Sequence, residues 1–232
     1  MKALQQLTEK VLSGEPITKV EAMCLYQQPL DELCKSADAI RRHFCGNRFD
    51  ICTIINGKSG RCSENCRFCA QSAHNHTGAA QYPLLPEEEI IAQAKRNQER
   101  GVLRYSIVTS GKRLSDGEVE QMCWVVQEIK RTVGISVCVS FGLLDKRQFR
   151  KLKEAGVTRV HNNLETSRRN FPHICTTHTF DDKVQAIHAA QAAGLSVCSG
   201  GIMGLGERAE DRIDMAIELR RLQIKSVPVN ML

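Results

Sequence analysis

The chain has 232 residues, 42% of them hydrophobic and 25% charged, with a formal net charge of +6; that suffices for one core or a single barrel and excludes a disordered or fibrous protein. Its basic residues fall in scattered pairs (Arg41-Arg42, Arg168-Arg169, Arg220-Arg221) and aromatics make up only 5%, which argues against a nucleic-acid partner. The opening residues lack the apolar run of a signal or membrane segment, so no membrane contact and a cytoplasmic location are expected, and in that reducing setting eleven cysteines point to metal more than to disulfides.

Residues 1–45 read as an N-terminal segment, helical over 2–45, separate from a barrel domain over 46–232. Leu4, Leu7, Val11 and Leu12 recur at helical spacing, Thr18 and Glu21 form a capping box, and 31–44 repeats the helical pattern. From about residue 47, apolar strand-like runs at 49–55, 103–109, 135–141, 157–161, 195–203 and 226–232 alternate with amphipathic stretches at 86–100, 115–132, 145–155, 180–193 and 209–222. Gly101, Gly156 and Gly194 stand where helices must end. The alternation predicts an α/β fold with parallel strands and right-handed crossovers. No dinucleotide glycine fingerprint is present, which favours a (βα) TIM-type barrel over a Rossmann sheet. A closed barrel needs eight units, and about six are readable. The sixth strand runs into Asn230-Met231-Leu232, so the expectation is a barrel incomplete at its C-terminus, a fragment or an open array.

Barrel enzymes place their chemistry at the C-terminal ends of the strands. The first strand leads into Cys62-Ser-Glu-Asn-Cys66-Arg-Phe-Cys69, a C-x3-C-x2-C run. Three thiolates on so short a loop can hold three corners of a four-iron cluster and leave the fourth iron open for chemistry. The competing reading is a Cys3His zinc loop completed by His74 or His76. The fourth strand ends in His161-Asn162-Asn163-Leu-Glu165. Asn162 and Asn163 are turn formers that also offer amide donors and acceptors, and Glu165 suits ribose hydroxyls or a helix cap. The fifth carries a glycine-rich stretch, 200–207, where glycine marks a bend or lets backbone approach a nucleoside. Cys138 and Cys198 lie in separate strands and read equally as buried hydrophobes or as ligands of a second cluster. Cys24, Cys34 and Cys123 fall on helices and are expected to be buried and apolar; Cys175 fits either role.

The cysteine spacing, with Phe68 before the last thiol, resembles the signature of the radical S-adenosylmethionine (SAM) enzymes. Four segments, Lys58-Ser-Gly-Arg-Cys62-Ser-Glu-Asn-Cys66-Arg-Phe-Cys69-Ala-Gln-Ser72, Asn163-Leu-Glu165-Thr-Ser167, Val197-Cys198-Ser-Gly-Gly-Ile-Met-Gly-Leu-Gly-Glu207 and Ser226-Val-Pro-Val-Asn230-Met-Leu232, together resemble the biotin synthase family. The resemblance implies reductive cleavage of S-adenosyl-L-methionine, hydrogen abstraction from dethiobiotin and sulfur insertion from an auxiliary cluster: a sulfurtransferase at the last step of biotin biosynthesis. It implies a 4Fe-4S cluster on Cys62, Cys66 and Cys69, and an auxiliary cluster, 2Fe-2S or a variant type, on Cys138 and Cys198. It places Gly200, Gly201 and Glu165 around SAM, and Asn163 and Asn230 on the substrate's ureido ring. A flavodoxin or ferredoxin electron donor and a homodimer are further implications. The chain departs from the family's best-known form in carrying Ser106 where that form has a cysteine, and in lacking an arginine ligand from a later strand. Cys52, in the adjacent first strand, is the expected substitute, with Cys45 more distant. The rival functions are another radical SAM barrel enzyme, of hydrogenase-maturation or rearrangement type, and a non-catalytic zinc or iron–sulfur module.

Overall fold

The structure, a computed structural model, describes residues 2–232. Three helices open it: α1 (Lys2–Leu12), α2 (Lys19–Leu25) and α3 (Leu30–Cys45). The Thr18–Glu21 capping box is formed as predicted. α2 rests on a later helix, α9 (Ala209–Arg221). That contact is fastened by Lys19–Asp214 at 2.6 Å and by Arg220 donating to the Ile17 carbonyl at 2.8 Å. Neither α2 nor α3 buries a residue, so Cys24 and Cys34 are exposed rather than buried as expected, while Cys123 is half-buried.

Five strands form a parallel sheet in sequence order: β1 (Cys52–Lys58), β2 (Arg104–Thr109), β3 (Ser136–Ser140), β4 (Arg159–His161) and β5 (Ser196–Cys198). A parallel pair, β6 (Gly201–Met203) and β7 (Val229–Met231), continues the curve. Single bridges between Glu165 and Gly201 and between Cys198 and Ser226 carry it over. Helices α4 (Glu87–Glu99), α5 (Asp116–Thr132), α6 (Lys146–Ala155), α8 (Phe180–Ala192) and α9 make the crossovers, and a one-turn helix, α7 (Phe171–Ile174), interrupts the fourth.

Successive strand residues face opposite ways, and here the two faces differ in chemistry. Ile55, Tyr105, Ile107, Val137, Val139, Val160 and Val197 point outward into the helix layer, against Ile90, Met122, Phe149, Leu152 and Ile187. Each such side chain contributes about 1.5–3 kcal/mol by leaving water. The alternate residues, among them Asn56, Val108, Ser140 and His161, turn inward and line a cavity. Helix exits follow the glycines; Gly156, in the left-handed region at φ 115°, closes α6.

The strand boundaries correct the sequence reading in three places. The first strand begins at Cys52, leaving Phe49 84% exposed, and runs on to Lys58. The predicted strand 195–203 breaks into β5 and β6, because Gly200 and Gly201 turn their amides sideways to Asn163 Oδ1 and to the Pro228 carbonyl. The helix α7 carried no periodic signal at four residues.

Candidate active site

The loop after β1 is tied into a ring by its own backbone. Ser59 and Tyr82 exchange N–H···O bonds of 3.1 Å, the Cys62 amide donates to the Gln71 carbonyl at 3.0 Å, and the Ala73 amide donates to the Cys62 carbonyl at 2.8 Å. Asn75 Nδ2 donates to the carbonyls of Cys66 and Cys69 at 3.0 and 2.9 Å. The ring is clamped to the segment after α7. Asn65 Oδ1 accepts the Thr176 amide at 2.9 Å, and the Arg67 amide donates to the Ile174 carbonyl at 3.0 Å. So held, Cys62, Cys66 and Cys69 all face one cavity of about 350 Å³. His161, Asn162, Asn163 and Glu165 from the end of β4 border the same cavity, with Lys183 from α8.

Burial raises the Cys66 thiol strongly above its ordinary value, helped by Cys175 beside it, and burial raises Cys69 as well. A thiol in that setting ionises when a cationic centre repays the desolvation. Between the cysteines, Glu64 borders the same cavity and is engaged by His178, whereas Asn65 turns to Thr176. His74, a sequence candidate for a zinc loop, places Nε2 3.1 Å from the Ser63 carbonyl. Three converging thiols, with the loop's one carboxylate already engaged by His178, suit a cluster with one open corner.

Opposite the thiols, Asn163 Oδ1 accepts the Gly200 amide at 3.0 Å, and Asn163 Nδ2 lies 3.4 Å from Glu165 Oε2. Glu165 sits at φ 69°, a left-handed conformation that costs a non-glycine residue about 1–3 kcal/mol and concentrates at functional sites. Burial pushes its carboxyl above the ordinary range, with Lys183 and Asn163 pulling back. Gly200 and Gly201 support this wall from behind. A Cβ on Gly200 would collide with the Pro228 carbonyl, and one on Gly201 with Met215 Sδ and the Glu165 carbonyl. Asn230 lies on exposed β7 and does not border the cavity.

Deeper on the inner face, Ser106, Cys138 and Arg159 stand side by side across β2, β3 and β4, and Cys198 pairs with His161 one step along. Burial pushes the Cys138 thiol up to about 11 against the nearby Ser106 hydroxyl, and charge on Cys52 or Cys198 raises it further. Cys52 is exposed at the start of β1 yet close enough to feel Cys198. The Nε atoms of Arg104 and Arg159 are buried without a partner, and Ser226 Oγ donates to Cys198 Sγ at 3.3 Å. Unpaired guanidinium donors beside two or three thiols fit an anionic iron–sulfur group.

Sequence reasoning passed over Glu64, His178 and Lys183. Lys183 Nζ donates to Asn162 Oδ1 at 3.2 Å. His178 Nδ1 meets Glu64 Oε2 at 2.6 Å. Nothing in a Thr-Thr-His-Thr loop marks that histidine, whose partner lies 114 residues away.

Residues 58–219 match the model of the Radical SAM superfamily. Among solved structures the fold superposes on methylornithine synthase with a TM-score of 0.84 at 23% identity, covering 97% of this chain and 67% of that one. A maturase of the FeFe-hydrogenase gives a TM-score of 0.85 at 23% identity, covering 100% and 54%. An inner face with a three-cysteine loop at its rim, within that family match, makes this a radical SAM enzyme. The chain is 58% identical over 232 residues to the biotin synthase of Akkermansia muciniphila, covering 100% of this chain and 72% of that protein. It is 55% identical to that of Brachyspira hyodysenteriae, covering 99% and 69%. It belongs to the biotin synthase family, whose cofactors are a 4Fe-4S cluster, SAM and an auxiliary iron–sulfur cluster.

Proposed function

We propose that this chain inserts sulfur into dethiobiotin inside the cavity, with Cys62, Cys66 and Cys69 holding the 4Fe-4S cluster. The single observation that carries the reading is the convergence of those three thiols on one cavity whose facing wall is Asn163 and Glu165. When bound, the clusters and SAM supply the radical and the sulfur. The protein's part is to position, to select and to keep water out.

Glu165 accepts hydrogen bonds from the nucleoside's ribose, and Lys183 opposite favours its charged form. Gly200 and Gly201 keep the backbone of β5 and β6 close enough to hold Glu165 and Asn163 in place. Asn163, anchored by the Gly200 amide, presents its Nδ2 to the ureido carbonyl. Asn230 reaches the ring only if β7 shifts inward. Cys138 and Cys198, with Cys52, hold the auxiliary cluster. Arg104 and Arg159 compensate its charge with donors that have no other partner. No helix among the described residues is long and apolar enough to cross a membrane, and the reading places the enzyme in the cytoplasm, as a homodimer fed by a flavodoxin or ferredoxin. Of the N-terminal segment 1–45, whose first residue lies outside the described residues, 2–45 act as a helical segment braced on α9, and 46–232 as the barrel domain.

Anaerobic reconstitution with iron and sulfide tests this. A reduced protein should show a cluster signal in electron paramagnetic resonance that changes when SAM is added. Cys62→Ala, Cys66→Ala and Cys69→Ala should each abolish it. A cluster indifferent to SAM, or one that survives all three substitutions, overturns the reading.

A further inference from the structure

Beside the cysteine loop lies a second donor set, of which the proposed reaction uses Cys66 alone. Cys66 Sγ is 3.7 Å from Cys175 Sγ. Cys175 Sγ in turn lies 3.3 Å from His178 Nδ1 and 3.9 Å from Nε2. Donor atoms of all three residues fall within 4.8 Å of one another. Cys175 is 3% exposed, His178 7% and Glu64 6%. The spacing is that of a tetrahedral metal: with zinc–sulfur bonds of about 2.3 Å, two thiolates stand about 3.8 Å apart, and a thiolate and an imidazole nitrogen about 3.6 Å. The histidine's tautomer is also set. Its Nδ1 lies 2.6 Å from the Glu64 carboxylate, which can only accept, so Nδ1 carries the proton and Nε2 keeps its lone pair; Nε2 is the nitrogen farther from Cys175, so the ring turns to bring it onto a metal shared with the thiols. A carboxylate holding the far nitrogen of a ligand histidine is the usual outer partner in zinc sites. The two loops are fixed to each other through Asn65, Thr176 and Thr177, with Asn65 N–H donating to Thr177 Oγ1 at 3.1 Å. The two loops and both thiols are therefore in place before any metal arrives, and the imidazole alone has to turn.

We propose that the cluster-free form of this chain binds one thiophilic divalent cation, zinc in type, through Cys66, Cys175 and His178 Nε2, with Glu64 orienting the imidazole and water in the fourth position. Binding releases the two thiol protons to solvent. The cation and the 4Fe-4S cluster then exclude each other, because both need Cys66; this clause alone rests on the role assigned to Cys66 above. The pair works as a selector between a zinc-blocked and a cluster-bearing protein.

Cobalt(II) is the probe, titrated anaerobically into cluster-free protein. The expected result is one cobalt per chain with thiolate charge-transfer and tetrahedral ligand-field absorption, displaced by zinc. Cys175→Ser and His178→Ala should each weaken binding at least tenfold, whereas Cys62→Ala and Cys69→Ala leave it within twofold. Far-ultraviolet circular dichroism and metal-free melting confirm that the variants fold, and zinc should raise the melting temperature of the parent but not of Cys175→Ser. Protein carrying a full cluster should take up no cobalt. Binding that ignores Cys175→Ser, that is lost equally in Cys69→Ala, that shows an octahedral spectrum, or that persists in cluster-loaded protein overturns the proposal. Failure of the cluster assignment shows itself differently, as a Cys66→Ala protein that still assembles the cluster, and leaves the cobalt titration of the cluster-free protein standing.

Discussion

Ser106 faces Cys138 across β2 and β3. Oxygen of a serine is a poor ligand for iron beside a thiolate, so under the proposed function the ligand count of the auxiliary site depends on Cys52. Cys52→Ala is expected to lower iron and sulfide content after anaerobic reconstitution while sparing the signal of the first cluster. Unchanged content removes Cys52 from the site. Ser106→Cys should raise the iron retained on gel filtration and alter the visible spectrum. Glu165 offers a separate test. Glu165→Gln keeps shape and removes the charge, so SAM affinity by equilibrium dialysis should fall about tenfold, the effect of one charge-assisted hydrogen bond at about 1.4 kcal/mol. An unaltered affinity detaches Glu165 from the nucleoside. At this scale the sequence was readable where the chemistry is local. Cys62, Cys66 and Cys69 sit within one short run, whereas the Cys66–Cys175 and Glu64–His178 pairs span 109 and 114 residues and leave no mark in a linear pattern.

The start of α9 binds the loop after β4 through one carboxylate. Asp211, 1% exposed, accepts from the Arg208 amide at 2.8 Å, from Ser167 Oγ at 2.5 Å and from Arg169. Burial opposes its charge, but Arg169, Ser167 and the amide outweigh burial and hold the carboxyl well below its usual range. A depressed folded-state value means that the charged form stabilises the fold above the unfolded value of about 3.9 and that this contribution is lost as pH falls further. Asp211→Ala should cost about 2 kcal/mol in urea melts at neutral pH, and the difference from the parent should shrink below pH 4. A constant difference down to pH 2 contradicts the assignment. β5 and β6 depend on the glycines between them. Gly201→Ala must displace Met215 or the Glu165 backbone, an overpacking cost of about 1–3 kcal/mol, and should lower both melting temperature and SAM affinity; an unaffected protein would show that this approach is looser than described. Helices were legible because their signals are local: the Thr18 cap is read directly, and Ser115, Asp145 and Thr179 start others with the same local hydrogen bonds. The break at Gly200 was not, since it is made by Pro228 from another strand.

Over the whole molecule, the sheet described here curves from β1 to β7 without joining them. Ile54, Val229 and Met231 are consequently 64%, 61% and 84% exposed. The related biotin synthases are longer, this chain spanning 72% of one and 69% of another. Unpaired strand edges with apolar side chains favour association. The 232-residue chain is therefore expected to bind a hydrophobic dye such as ANS and to show concentration-dependent sedimentation, and Val229→Lys with Met231→Lys should reduce both. A monomer silent to ANS at high concentration would show that these edges are protected. The barrel class was readable from strand–helix alternation, which is set by neighbours in sequence. Which residues face inward was not, because that follows from the register of β2 against β3 and of β4 against β5.

The clamp between Asn65 and Thr176 joins two stretches of chain separated by 111 residues. A ribosome adding about 5–20 residues per second takes about 6–22 seconds to cover that distance. For that interval the cysteine ring exists without the histidine, the second thiol or the lysine that later surround it. Newborn polypeptide thus meets cellular metal with its ligands arriving in instalments, and the choice of first occupant is a matter of timing as much as of affinity.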